Sequence, residues 1–421
     1  MSKILMVGIN FQPELTGIGK YTGEMAAYLS EGGHDVRVIT APPYYPYWQI
    51  QQGYKAWQYR KEVWNEVRIY RCPLWVPRTP TGLKRLVHLL SFALFSLPIL
   101  LGQILWKPDL VFCVAPAFFC APFAWLTARL ARATAWLHIQ DFELDAAAHL
   151  GLLRADHPLT RWGARVERWL LSRFDRVSTI SESMRTRLLQ KGVDSQRTVL
   201  LPNWVDTMDI FPLNGPRNIL LREFAIPENK TIVLYSGNMG KKQGLDSVVA
   251  AAKELQSYES LHFVFCGEGA ARAELEMQAQ DVTNIQFMPL QPTEKLNELL
   301  NSADIHILPQ IAGTADLVMP SKLLGMLASG KPVIATANPE TEIGTVVGQT
   351  GLLVPPADLE AVCQAILRLT ELPQLRAELG KKGRKLVCEK WSMDHILADF
   401  ESTCNNLRSS DISKNAVSRL T

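Results

Sequence analysis

The feature that most constrains the fold is the alternation of short apolar runs with segments of helical periodicity. It occurs as two series, the first over residues 4–201 and the second over residues 231–354. This alternation predicts parallel sheets covered by helices on both faces, because parallel neighbours need a crossover that is usually a helix. The predicted strands are 4–9, 36–40, 67–71, 110–114, 135–139, 176–180, 199–201, 231–236, 262–266, 285–287, 305–308, 333–335 and 352–354. We therefore predict an α/β fold of two doubly wound domains.

The two series are separated by residues 202–227, which are rich in proline, asparagine and glycine. A domain boundary in this segment gives a first domain over residues 1–207 and a second over residues 208–390. A final helix over 391–408 and a polar tail over 409–421 complete the predicted organisation. With 421 residues, of which 47% are hydrophobic and 20% charged, the chain can build two full cores.

Composition also argues against several classes of protein. The formal net charge of +3 is too small to indicate a nucleic-acid-binding surface, and the sequence contains no aromatic-plus-basic RNA motif. The seven cysteines never form a CxxC pair, so we expect reduced thiols and no zinc site. Met1 leads directly into a predicted strand, and we expect a cytoplasmic protein without a cleavable signal peptide.

Loops that follow parallel strands should carry the chemistry, because ligands bind at the carboxyl edge of such sheets. Gly17 and Gly19 follow the first strand, where glycine permits close backbone approach and the next helix N-terminus favours an anion. Lys241 and Lys242 lie in the corresponding loop of the second series and suit a phosphate clamp. Gly267, after the next strand, suits contact with a base or ribose. A tight turn or a solvated basic turn would explain the same residues, since neither GxGxxG nor a Walker sequence is present.

Residues 313–332 predict a polar turn followed by a helix. Thr314 and Asp316 belong to the turn, and the Ser321 hydroxyl is expected to accept from the free N–H groups of the helix start. Lys322 in the first helical turn would help to hold an anion. An ordinary strand–loop–helix unit is the alternative interpretation.

Another polar cluster follows the predicted strand 135–139. His138 lies near the strand end, with Asp141 and Asp145 shortly after it. The cluster is a candidate for catalysis at the ligand edge, although a lone histidine in this position is often structural. Its spacing does not match a zinc site such as HExxH.

Taken together, these segments resemble a GT-B glycosyltransferase of family 4, in particular members that assemble exopolysaccharides. The resemblance runs over nearly the whole chain and rests on the segments GINFQPELTGIGKYTGEMA, HDVRVITAPPYYPYW, LHIQDFELDA, VSTISESM, LPNWVD, YSGNMGKKQGLD and MPSKLLGMLASGKPVIA. It implies two Rossmann-like domains with a cleft between them, a nucleotide-sugar donor on the second domain and an acceptor on the first. It further implies retention of anomeric configuration without a metal or other cofactor.

The resemblance also assigns residues to roles. It implies that Gly17 and Gly19 face the donor diphosphate and that the final helix packs back on the first domain. The candidate catalytic residues are His138, Asp141, Lys241 and Lys242. The candidate donor-binding residues are Gly17, Gly19, Gly237, Asn238, Gln243, Gly267, Met288, Leu290, Gln291, Thr314, Asp316, Ser321 and Lys322. The candidate acceptor-side residues are Glu14, Tyr44, Tyr45 and Asp145.

The chain departs from the family pattern at two places. Many members carry an arginine and a lysine in the phosphate loop, where this chain has Asn238 and Gln243. The paired family glutamates, seven residues apart, fall on Val318 and Gly325. We expect the two loop lysines to replace the missing cations. The expected substitutes for the glutamates are Asp316, Ser321 and Lys322.

The apolar segment 83–106 is close to the length that spans a bilayer, about 20 residues. Pro98, His88 and Gln103 argue against a membrane span. Lys84 and Arg85 beside the apolar surface favour a helix lying on an anionic membrane surface. A buried core helix and a true membrane span remain alternatives. A lipid-carried acceptor, which the resemblance implies, favours surface contact.

The resemblance implies transfer of a sugar, with a GDP-linked donor such as GDP-fucose expected first, to a lipid-linked oligosaccharide. The enzyme would be cytoplasmic and peripheral on the inner face of the cell membrane. Two other functions stay open: a catalytically silent scaffold of a polysaccharide assembly complex, suggested by the missing glutamates, and a nucleotide-sugar epimerase of the same fold.

Overall fold

The computed structural model describes residues 1–14, 17–79, 81–115, 118–142, 158–213, 219–227, 229–240, 243–311 and 320–417. The chain forms two compact units. The first consists of Met1–Pro202 and Leu397–Thr421, and the second consists of Asn203–Ile396.

The first unit is built on an eight-stranded sheet in the order β3-β4-β2-β1-β5-β6-β7-β8. Its strands are β1 (Lys3–Val7), β2 (Asp35–Thr40), β3 (Arg60–Trp64), β4 (Val67–Arg71), β5 (Leu110–Ala115), β6 (Thr134–Ile139), β7 (Arg176–Thr179) and β8 (Thr198–Leu200). Its helices are α1 (Gly17–Glu31), α2 (Gly82–Gln103), α3 (Ala121–Ala131), α4 (Pro158–Leu171) and α5 (Glu182–Gln190). Neighbouring strands are parallel except for the antiparallel pair β3 and β4.

The second unit is built on a six-stranded parallel sheet in the order β11-β10-β9-β12-β13-β14. Its strands are β9 (Thr231–Ser236), β10 (Leu261–Cys266), β11 (Ile285–Met288), β12 (Ile305–Leu308), β13 (Val333–Thr336) and β14 (Leu352–Val354). Its helices are α6 (Ile219–Glu223), α7 (Leu245–Glu254), α8 (Arg272–Gln278), α9 (Leu296–Ser302), α10 (Ser321–Ala328), α11 (Glu342–Thr350), α12 (Leu359–Glu371) and α13 (Pro373–Lys390). The last helix is α14 (Met393–Val417), whose residues from Leu397 onward belong to the first unit.

The thirteen predicted strands are confirmed, with ends that differ by a few residues at most. The sequence does not predict β3, because its segment Arg60–Trp64 is mostly polar and has no buried residue. A tight hairpin turn attaches it to the edge of the sheet, since Asn65 and Glu66 both have positive φ, 47° and 61°. Two such residues in succession are typical of a type I′ turn between antiparallel strands.

Strand order fixes where each unit can bind a ligand. In the first unit β1 lies between β2 and β5, and in the second β9 lies between β10 and β12. In each sheet, the strands that follow the central strand in sequence are added first on one side of it and later on the other. The carboxyl ends of β1 and β9 are therefore the topological switch points. Both strands are buried along most of their length, so their ends are rigidly held.

Among the described residues, one helix is long and apolar enough to cross a membrane by length and composition. It is Gly82–Trp106, with a mean hydropathy of 1.9, and 33% of its most apolar window is buried. Phe92 and Leu100 face the core of the first unit, whereas Leu83 and Leu94 are 74% and 63% exposed. The helix is therefore apolar on its outer side as well as its inner side.

Candidate functional site

The loops that follow β9 and β10 lie in direct backbone contact at the switch point of the second unit. The Gly237 N–H donates to the Cys266 carbonyl at 2.9 Å. Gly267 has φ +148°, and a Cβ atom added there would lie 1.9 Å from the Gly237 carbonyl oxygen. A side chain at Gly267 would force the two loops apart, so glycine is required by both conformation and space.

Lys322, in the first turn of α10, reaches the same loops. Its Nζ atom lies 3.3 Å from the Tyr235 hydroxyl and 3.5 Å from Gln243 Oε1. It also lies 4.4 Å from the centroid of the Tyr235 ring, which suits a cation–π contact. The structure thus brings together Gly237, Gln243 and Lys322, three of the predicted donor-binding residues, from distant parts of the sequence.

The electrostatics of this amine are unusual for a lysine. Burial lowers the pKa of Lys322 to about 8. Its polar neighbours are neutral, and no carboxylate of the described residues lies within ion-pair distance of Nζ. A partly desolvated cation is stabilised by an incoming anion, since the interaction is stronger away from water.

Arg272, at the start of α8, holds the neighbouring loops in place. Its Nη1 atom donates to the Gly267 carbonyl at 2.8 Å and to the Met288 carbonyl at 3.2 Å. The Gly267 N–H also donates to Met288 O at 3.3 Å, so Gly267 and the turn 288–291 lie together. In this turn Leu290 is 56% exposed, and Gln291 Nε2 donates to the Pro289 carbonyl. Arg272 also pairs with Glu268 at 2.7 Å and Glu276 at 2.8 Å. Its role was not predicted, because backbone contacts between distant loops leave no motif in the sequence.

The prediction for Ser321 is wrong in one respect. Pro320, with φ −63° and ψ 125°, is the N-cap of α10, and the helix start has no side-chain cap hydrogen bond. Ser321 is instead the first helical residue and is exposed. Its N–H group remains a candidate contact for an anion. The predicted residues Asp145, Lys241, Lys242, Thr314 and Asp316 lie outside the described residues.

In the first unit, Glu14 joins the loop after β1 to the loop after β2. Its Oε1 accepts from the N–H groups of Tyr44 and Tyr45 at 2.8 and 2.9 Å, and its Oε2 accepts from Asn10 Nδ2 at 2.8 Å. The carboxyl group is buried, and this burial raises its pKa. Both oxygens are therefore engaged inside the protein, where they position the two loops.

Two glycines at the start of α1 allow close packing against the loops after β1 and β2. A Cβ atom on Gly19 would lie 2.9 Å from the Glu14 Cβ atom, so the start of α1 packs directly against the glutamate. Gly17 has φ +61°, and its Cβ position lies 3.9 Å from the Tyr45 ring. Tyr44 is buried and Tyr45 is 39% exposed. The predicted residues Glu14, Gly17, Gly19, Tyr44 and Tyr45 thus form one cluster at the carboxyl ends of β1 and β2.

The structure separates the two candidates that follow the β6 region. His138 is buried, with Nδ1 2.8 Å from Ser178 Oγ and its ring stacked on Phe112 at 5.6 Å. Burial lowers its pKa to about 3, so the ring is neutral at physiological pH. Asp141, two residues beyond the strand, is exposed. Of the two, only Asp141 presents its side chain to solvent.

At the loops that follow the strands of both sheets, charge is supplied by side chains and by helix ends. Within the described part of the chain, no group of three or more His, Cys, Asp or Glu side chains is arranged to hold a metal ion. Lys322 supplies a cation at the second switch point, beside the N-terminus of the eight-residue helix α10. Such an arrangement can bind a phosphate group.

Comparison with known proteins gives consistent matches over most of the chain. Residues 16–204 match the model of the glycosyl transferase 4-like domain, and residues 217–386 match that of glycosyl transferases group 1. The chain is 43% identical over 380 residues to a protein of Escherichia coli strain K12 named "Putative colanic acid biosynthesis glycosyl transferase WcaI". That match covers 88% of this chain and 93% of the relative.

Solved structures show the same fold. Sucrose-phosphate synthase from Thermosynechococcus elongatus has a TM-score of 0.75 at 19% identity, covering 97% of this chain and 100% of that one. Anabaena HepE in complex with UDP-glucose has a TM-score of 0.68 at 15% identity, covering 96% and 100%. These likenesses confirm the predicted GT-B fold.

Proposed function

Because this chain belongs to glycosyltransferase family 4, we propose that it transfers a sugar from a nucleotide-sugar donor to a lipid-linked oligosaccharide. The reaction would serve the assembly of a colanic acid-like exopolysaccharide, which is the process named for the E. coli relative. We propose a GDP-linked donor, with GDP-fucose as the first candidate, and retention of the anomeric configuration. HepE was solved with UDP-glucose, so UDP-linked donors belong in the same test.

The observation that carries the proposal is the position of Lys322. A departing nucleoside diphosphate is highly charged, and a preorganised cation lowers the energy of that departure. Lys322 supplies a half-buried amine beside the glycine loops of β9 and β10, with neutral polar neighbours. The N-terminus of α10 adds a favourable dipole at the same place.

We propose that the diphosphate is neutralised without a metal. Lys322, the N–H groups at the start of α10, and the loop residues Lys241 and Lys242 would share that role. Lysine suits it because its ammonium is a compact charge on a flexible stem that can follow the phosphates. Under this proposal Asn238 and Gln243 contribute hydrogen bonds in place of the charges that many family members carry there.

The test is a transfer assay with labelled GDP-fucose, GDP-mannose, UDP-glucose and UDP-galactose, with a polyprenyl diphosphate-linked oligosaccharide as acceptor. We expect label to enter the lipid fraction from one GDP-linked sugar, and to do so equally in the presence of a strong chelator. Loss of transfer in chelator, with recovery on adding magnesium or manganese, would overturn the metal-free proposal. Transfer from UDP-linked sugars alone would overturn the GDP proposal.

A second candidate function is a silent scaffold that binds a nucleotide sugar without turning it over. Gly325 favours it, because this residue of α10 stands where the family has its second glutamate. Binding of a nucleotide sugar with no product from any donor and acceptor would support the scaffold. Conversion of a nucleotide sugar without an acceptor would instead indicate an epimerase.

We also propose that the protein is cytoplasmic and attaches to the inner face of the cell membrane through α2. The outward side of this helix exposes Leu83, Leu90 and Leu94, and its first turns carry Lys84 and Arg85. Its other side packs into the core of the first unit, which favours surface attachment over a membrane span. Apolar area together with cationic residues suits an anionic lipid surface.

A further inference from the structure

The outer surface of the first unit extends well beyond α2. We infer that α2, α3 and α4 together form one face, here called the three-helix face, that lies on an anionic lipid bilayer. The inference rests on the proposed membrane attachment and identifies the surface that makes it. It adds two helices and a pair of tryptophans to the contact.

The three helices cover the same side of the first sheet. Phe92 of α2, Ala124 of α3 and Leu170 of α4 all belong to one core cluster. Helix α2 packs against α3, and Trp125 of α3 contacts Trp169 of α4 edge-on with ring centroids 6.2 Å apart. Since their inner sides share one core, their outer sides point away from the sheet in the same direction.

That outer surface is rich in apolar side chains exposed to solvent. On α2, Leu83 and Leu94 are 74% and 63% exposed, and on α3 Leu130 is 55% exposed. On α4, Trp162 and Trp169 are 63% and 47% exposed. A concentration of exposed apolar side chains on one side of a domain is typical of an interaction site. Tryptophan is a side chain preferred at the boundary between lipid and water.

The charge of the three-helix face identifies the kind of partner. Helices α2 and α3 contain no acidic residue, and α4 contains one, Glu167. Glu167 is buried and accepts a hydrogen bond from Lys191 at 2.6 Å, so it adds no exposed negative charge. Exposed cations are present on two of the helices, Lys84 on α2 and Arg165 on α4. An apolar surface with cations and without exposed carboxylates on its helices fits anionic lipid headgroups over acyl chains.

The test is sedimentation with vesicles of mixed phosphatidylglycerol and phosphatidylcholine, and with phosphatidylcholine alone. The variants are Leu90→Ser/Leu94→Ser on α2, Trp162→Ser/Trp169→Ser on α4, and the charge reversal Arg165→Glu. Met277→Ser is the matched control, because Met277 is 62% exposed on α8 of the second unit. We expect each double variant to lower partitioning about tenfold, and the control to leave it unchanged.

Arg165→Glu keeps the result interpretable if a tryptophan variant perturbs the packing of α4. Its side chain is exposed, and it should weaken binding to anionic vesicles while leaving the weaker binding to phosphatidylcholine unchanged. If only the α2 variant weakens binding, the proposal that α3 and α4 also contact the bilayer is wrong, and attachment by α2 alone is supported. If the unmodified protein binds neither kind of vesicle, the proposals of attachment by α2 and of the three-helix face are both wrong.

Discussion

At the scale of single residues, Lys322 combines partial burial with neutral neighbours, and its charge should depend on pH near the physiological range. Because burial lowers its pKa to about 8, the ligand-free amine is mostly protonated at pH 7 and mostly neutral at pH 9. Only the protonated amine attracts a diphosphate. The affinity for a donor nucleotide should therefore be constant below the pKa and fall as pH rises through it.

We predict that the Kd of GDP, measured by calorimetry, rises by up to about tenfold per pH unit above pH 8. Lys322→Arg is the control, because a guanidinium stays charged throughout this range and should remove the dependence. A native Kd that does not change between about pH 7 and pH 9.5 would show that Lys322 does not contact the phosphates.

The second prediction for a single residue concerns the stability of Glu14 variants. Glu14→Ala removes the acceptor for a buried and a partly buried backbone N–H group and the partner of Asn10, whereas Glu14→Gln keeps one carbonyl oxygen for the N–H groups. With roughly 1–3 kcal/mol for each unsatisfied group, the alanine variant should lose about 3 kcal/mol of unfolding free energy. The glutamine variant should lose about 1 kcal/mol. Denaturant unfolding followed by tryptophan fluorescence measures this, and equal losses in the two variants would contradict it.

At the scale of secondary structure, the contact between the β9 and β10 loops depends on a single glycine. In Gly267→Ala the new Cβ atom would clash with the Gly237 carbonyl oxygen, in a backbone conformation that is strained for alanine. We predict a loss of about 2 kcal/mol in stability and at least about tenfold in nucleotide affinity.

Gly348→Ala on α11 is the matched control for that variant. No atom lies within 4 Å of a Cβ added there, so the change should stabilise the helix by about 0.5–1 kcal/mol. Calorimetric melting and nucleotide titration of both variants check the prediction. Native nucleotide affinity in Gly267→Ala would show that these loops do not shape the donor site.

Most of the elements could be predicted from the sequence because the strands are short and apolar with polar ends. The predicted bounds of β9 and β12 agree with the structure, since both are buried runs. Edge strand β3 could not be predicted in this way, because an exposed strand has no apolar pattern and β3 is held by its pairing with β4. The helix α10 was predictable, whereas its cap was not, because Pro320 occupies the position where a side-chain acceptor was expected.

The site was only partly predictable for a related reason. Glycine-rich loops and lysines can be recognised in the sequence. The residues that each side chain contacts cannot. Lys322 and Tyr235 are 87 residues apart, and no pattern in the sequence indicates that they touch. The same holds for His138, whose burial against Phe112 and Ser178 follows from the packing of β5, β6 and β7. Sequence position alone suggests an accessible histidine there.

At the scale of the whole molecule, the proposed function requires both a donor site and a lipid surface. If the acceptor lies in the membrane, weakening attachment should slow transfer to a lipid acceptor in vesicles and spare transfer to a short-chain acceptor in solution. We predict that Leu90→Ser/Leu94→Ser lowers the rate with the vesicle acceptor about tenfold and leaves the other rate within about twofold. Parallel assays with the two acceptors measure this. Equal losses on both would indicate damage to the fold.

The most direct test of the central claim is calorimetric titration of GDP and UDP into native protein and Lys322→Ala, in buffer containing a strong chelator. We predict that the native protein binds at least one of these nucleotides without a metal. We predict that Lys322→Ala binds it at least about tenfold more weakly, with a melting temperature that is not lowered, because the buried charge itself disfavours the folded state. Equal affinity in the two proteins, or native binding that requires an added divalent metal, would contradict metal-free binding of the diphosphate by Lys322.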